Sequence, residues 1–100
     1  MSLIQTGALK LNSRNASETT PGDLSTFTEV TFPTPFPRGS DVIVTANVQT
    51  FNGPHTPGLR IANVTEAGFF IRMNELVALG KPLSDGVHVE ETIGWIAATV

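Results

Sequence analysis

The alternation of apolar and polar residues is cleanest between residues 42 and 51. Val42, Val44, Ala46 and Val48 fall on one side, and Thr45, Asn47 and Gln49 on the other. This is the period of two that a strand with one solvated face requires, and it predicts a central antiparallel strand. The stretch 59–73, LRIANVTEAGFFIRM, carries a second such pattern. Phe69, Ile71 and Met73 share one face, while Phe70, Arg72 and Asn74 share the other. Before them Leu59 and Ile61 alternate with Arg60 and Ala62 until Asn63 breaks the run. Thr65-Glu66-Ala67-Gly68 between the two arms predicts a tight turn, with Gly68 free to take a positive φ.

The remaining segments follow from the same rule. Residues 2–11, SLIQTGALKL, predict a first strand with Gly7 as a bend or bulge. Residues 12–26 hold no apolar period and predict a long surface loop. Phe27 to Phe32 predict a second strand with Val30 and Phe32 inward. Pro33, Pro35 and Pro37 then end any ladder, because proline has no N–H to donate, and Phe36 among them is placed as a plug at one end of the core. Residues 52–58, NGPHTPG, are turn-rich. Residues 74–80, NELVALG, fit a helical turn or a continued strand, and the strand continuation is preferred. Ser84-Asp85-Gly86 signals a turn.

The last strand, about His88 to Thr99, has Ile93, Trp95 and Ala97 on one face and Ile96, Ala98 and Val100 on the other. An edge strand that is apolar on both sides calls for a subunit contact. Six short strands with little helical period predict a single all-β domain over residues 1–100, a six-stranded antiparallel β-sandwich. Val30, Phe32, Val42, Val44, Phe69, Ile71 and Trp95 are its expected core.

Composition narrows the function classes. Six Lys and Arg spread singly in a chain of net charge −3 form no basic stripe, so no nucleic acid is expected as a partner. Without cysteine there is neither a disulfide framework nor a thiolate metal site. No apolar run is long enough to predict membrane insertion, and no secretory signal is visible. Extracellular, virion and cytoplasmic locations all stay open. His55 and His88 stand in separate loops without further metal ligands, and no glycine-rich phosphate loop is present, so neither metal nor cofactor is expected.

Catalysis is not expected either. Ser84-Asp85-x-x-His88 holds the residue types of a nucleophilic triad, but adjacent residues cannot orient one another along a single turn. Glu90 and Glu91 point to opposite faces of a strand and form no acid–base pair by spacing.

Five pieces of the chain, in order, resemble the H-type lectin domain of snail agglutinins and of the C-terminal part of discoidins. They are Ile4-Gln5-Thr6-Gly7, Val30-Thr31-Phe32-Pro33-x-Pro35-Phe36, Leu59-Arg60-Ile61, Val64-Thr65-Glu66-Ala67-Gly68-Phe69 and Gly94-Trp95-Ile96-Ala97. The resemblance implies a six-stranded sandwich assembled as a homotrimer, or as a hexamer. It also implies galactose or N-acetylgalactosamine binding between neighbouring subunits, the chemistry of cell adhesion. Pro21-Gly22-Asp23 is similar to the family's acidic loop, and Arg60 to its arginine. The family's Trp-His pair is absent, with Asn74-Glu75-Leu76 near its place. Residues including Ser84-Asp85-Gly86-Val87-His88 are extra before the last strand.

Sugars require groups that accept from and donate to hydroxyl pairs, with an aromatic ring against the apolar face of the pyranose. Asp23, Arg60, Asn74 and Glu75 offer the first, and Phe51 or Phe70 the second, while Trp95 is assigned to the core. The expected site is a pocket at a subunit boundary, centred on Arg60, Asn74 and Glu75, with His55 on the wall and Asp85 and His88 at the rim. The competing reading of Arg60 and Glu75 is a plain ion pair. Two functions are carried forward: a carbohydrate-binding module, or a trimerisation module of a phage-tail or cell-surface fibre that binds no sugar.

Overall fold

The computed structural model describes residues 3–16, 19–76 and 87–100. They form six strands and, among the described residues, no helix: β1 (Ile4–Arg14), β2 (Thr28–Thr31), β3 (Val42–Val48), β4 (Pro57–Ala62), β5 (Gly68–Glu75) and β6 (Val87–Thr99). The fold is all-β, with two antiparallel sheets of three strands each, in the orders β1-β6-β3 and β2-β5-β4. The longest strand, β6, expected at an edge, stands instead in the middle of its sheet, between β1 and β3. β3 lies at an edge, contrary to the central position its alternation predicts. One solvated face is common to both positions, so the pattern alone could not separate them.

Alternation sorts the side chains as the period requires. Phe69, Ile71 and Met73 of β5 meet Ile93, Trp95 and Ala97 of β6 in one buried cluster, joined by Leu11, Phe32 and Phe36. Val30, Val42 and Val44 pack against it from partly buried positions. Phe32 sits at the aromatic centre, 5.2 Å from Phe36 edge-on, 5.9 Å from Phe69 and 5.6 Å from Trp95. Phe36 reaches this group because its N–H donates to the Glu66 carbonyl at 2.9 Å, which ties the proline-rich segment to the β4–β5 turn.

Two glycines have roles other than those expected. Gly7 lies within a regular part of β1, opposite Trp95, and a Cβ there would collide with the indole ring. Gly68 is not at positive φ. The left-handed residue of this hairpin is Asn63, at φ 50°, where the apolar pattern of β4 breaks. Gly68 is needed for close approach instead, because a Cβ would run into the Val30 carbonyl of the neighbouring strand. A backbone carbonyl cannot swing aside as a side chain can. Gly68→Ala is therefore expected to cost about 1–3 kcal/mol through the β2–β5 pairing, measured as a lower denaturant midpoint.

Candidate functional site

β1 and β6 pair without interruption from Ile4↔Ala98 to Leu11↔Glu91, after which the next pair is Ser13↔His88. Two steps along β1 match three along β6, so β6 carries a bulge between His88 and Glu91. The extra residue places both side chains on the buried face, although a regular strand would send residues three apart to opposite sides. His88 and Glu91 are both buried. Glu75, the last residue of β5, points to the same place from the other sheet.

The result is an imidazole held between two carboxylates. His88 Nδ1 lies 2.9 Å from Glu75 Oε1, and Nε2 lies 2.7 Å from Glu91 Oε2. A neutral imidazole has one N–H and could satisfy only one carboxylate, so this geometry fits the imidazolium. Burial pulls the His88 pKa down. The hydrogen bonds to Glu91 and Glu75, with their charges, outweigh it and hold the pKa above 6.5. Glu91 is held down to about 2, chiefly by His88, against the opposing effect of burial. Thr50 Oγ1 and the Asn52 N–H donate to Glu91 Oε1 at 2.8 and 2.9 Å, and the Gly53 N–H donates to Oε2 at 3.3 Å. One carboxylate thus anchors the loop that leaves β3.

The predicted pocket residues are divided by the sheet. Asn74 and Glu75 are consecutive on β5 and so face opposite sides. Glu75 goes inward to His88, while Asn74 lies outward over Gly58, whose missing side chain leaves room for it. Arg60 is exposed on that same outer face, directly across from Arg72. Strand geometry thus separates Arg60 from Glu75, and no ion pair joins them among the described residues.

Two arginines opposite each other on one face repel. Arg72 is drawn to the far side of β5, where Nε donates to Thr26 Oγ1 at 2.8 Å and Nη2 to the Ala16 carbonyl at 2.7 Å. Asn15 Nδ2 donates to the Met73 carbonyl at 3.1 Å, so the loop before β2 lies along β5 where β2 itself has not begun. Asp23 stands exposed in this loop, its Oδ1 accepting the Ser25 N–H at 2.9 Å. That bond first, and the Arg72 charge in smaller part, lower its pKa. Asp23, Arg60 and Asn74 therefore belong to the outer side, Glu75 and His88 to the interior. Asp85 lies outside the described residues, as do the Ser84-Asp85-Gly86 turn and residues 77–80.

His55 takes a third position, in the loop between β3 and β4. There it lines a cavity of about 180 Å³ with Val48, Phe51, Pro54 and Thr56, and Glu91 at its floor. Phe51 is 88% exposed. Among the described residues no group of three His, Asp or Glu side chains is arranged to hold a metal ion. Glu91, Thr50 and Arg72 are structurally committed residues that the alternation pattern did not single out. A bulge has no period, so alternation along β6 does not place His88 and Glu91 on one face. No family model matches the chain, and no curated protein or solved structure matches it.

Proposed function

We propose that the chain is a non-catalytic carbohydrate-binding module of the H-type lectin kind, a six-stranded β-sandwich that works as a homotrimer. The observation that carries this reading is the outer face of the β1-β6-β3 sheet. Ile4 and Ile43 both pair with Ala98, one from each side, and Ile96 lies two residues along the same face. These isoleucines are 67%, 61% and 48% exposed. Three on neighbouring rungs at one end of one sheet make an apolar patch of the sort that marks an interaction surface. Covering them contributes about 1–2 kcal/mol each for side chains already partly covered, repeated in every subunit. Threefold repetition of a weak sugar site then raises avidity without any new contact. By the family likeness the sugar is galactose or N-acetylgalactosamine at the subunit boundary, within reach of Arg60, Asn74 and Asp23.

A second reading is a trimerisation module of a phage-tail or cell-surface fibre without a sugar. The inward commitment of Glu75 and His88 favours it, since both are removed from the ligand set. Sedimentation equilibrium and a glycan array on the purified chain separate the possibilities. The wild type is expected to sediment as a trimer, and Ile43→Lys as a monomer with an unchanged far-ultraviolet spectrum. A concentration-independent wild-type monomer would sink the assembly. A trimer with a blank array leaves the fibre reading in place of the lectin.

A further inference from the structure

We infer that the cavity beneath the β3–β4 loop is a seat for one neutral pyranose ring, with Phe51 as its stacking platform. The inference rests on the carbohydrate-binding reading but places a site within one chain, lined by residues of the 48–57 segment and Glu91. Phe51 is the first observation. Phe32, Phe36 and Phe69 are buried and Phe27 and Phe70 half-buried, whereas Phe51 stands exposed at the rim of a cavity. An aromatic face beside a concave surface is what the apolar side of a sugar ring stacks upon.

The second observation is how firmly that ring's backbone is held. The Gln49 N–H donates to the Thr92 carbonyl at 2.7 Å, and Asn52 Nδ2 donates to the Glu90 carbonyl at 2.9 Å. The Thr92 N–H donates to Thr50 Oγ1 at 2.9 Å. With the Glu91 contacts from Thr50, Asn52 and Gly53, the loop is fixed on both sides of Phe51. A buried ionic cluster is seldom more stabilising than apolar packing of the same volume. What the His88–Glu91 pair does here is hold a surface loop in one position, and preorganisation of that kind lowers the entropy cost of binding.

The third observation concerns the class of ligand. A volume near 180 Å³ is below that of sites for drug-sized molecules and suits one ring. Val48, Pro54 and Pro57 offer apolar contact, and His55 and Thr56 offer side-chain partners for hydroxyl groups. Glu91 at the floor already accepts from four donors and carries negative charge, which disfavours an anionic sugar.

The test is titration of the ¹⁵N-labelled chain with methyl galactoside, N-acetylgalactosamine and methyl glucoside. Amide shifts are expected to cluster within residues 48–57 for at least one of them. Phe51→Ala is expected to weaken that binding about tenfold, and Phe51→Trp to retain it, with the remaining spectrum unchanged in both. Shifts confined to the surroundings of Arg60 and Asn74, or undiminished binding by Phe51→Ala, would overturn this seat and leave the carbohydrate reading standing. No shifts with any of the three sugars and a blank glycan array would overturn both.

Discussion

Trp95→Ala is expected to cost about 3–5 kcal/mol, the usual range for removing a buried indole or phenyl ring. Total stability for a domain of this length is about 5–15 kcal/mol, so the variant retains little margin at room temperature. The indole is 5.6 Å from Phe32 and 5.5 Å from Phe69 by ring centroids, and it also covers Gly7 across the β1–β6 pair. Its removal opens a cavity lined from both sheets, which rigid strands cannot close.

The same geometry makes Gly7→Ala a diagnostic partner. In the wild type a Cβ at residue 7 meets the indole and is expected to cost about 1–3 kcal/mol as overpacking. In the Trp95→Ala background that space is vacant, and the added methyl also removes a glycine from a strand interior, which weakens strands. Gly7→Ala is then expected to be neutral or slightly stabilising. Chemical denaturation of the four species gives the coupling directly. If the two costs simply add, the indole does not rest on Gly7.

The hairpin, the strand faces and the aromatic core were legible because each depends on local period and burial. Phe69, Ile71 and Met73 could face only one way once the turn at residues 65–68 was placed. Phe36 between prolines could not join a ladder and was free to enter the core. Sheet order was less legible, since β3 shows the same alternation at an edge that it would show in the centre. The reason for a glycine was less legible still. Gly7 and Gly68 are both required by what approaches them from another strand, and a sequence read along one strand does not contain that neighbour. The candidate site suffered most. Its expected centre joined Asn74 to Glu75 by adjacency, yet adjacent strand residues face apart. Its actual buried cluster joins His88 to Glu91 through a bulge that no periodicity records.

That cluster has a consequence in pH. The folded His88 pKa is raised above 6.5, so its stabilisation is fully present below the unfolded value and is lost as pH rises through the folded one. The folded Glu91 pKa is lowered from 4.5 to about 2. Its stabilisation is therefore present above 4.5 and is lost as pH falls towards 2. Both contributions are complete only between those unfolded values, so the thermal midpoint is expected to be highest between about pH 4.5 and 6.5. Above that window, loss of the His88 proton leaves one ring nitrogen without a hydrogen to offer its carboxylate, and Glu75 and Glu91 then face each other without a cation between them. As pH approaches 2, protonated Glu91 accepts less strongly from Thr50, Asn52 and Gly53, and the loop carrying Phe51 loosens. His88→Gln should lower the midpoint at pH 6 and flatten the alkaline decline, while Glu91→Gln should flatten the acid one. A titration of the imidazole nitrogen shifts provides an independent reading, with the His88 midpoint expected above the ordinary 6.5. A midpoint at or below 6.5, together with an alkaline decline that survives in His88→Gln, would show that the cluster does not set the pH response.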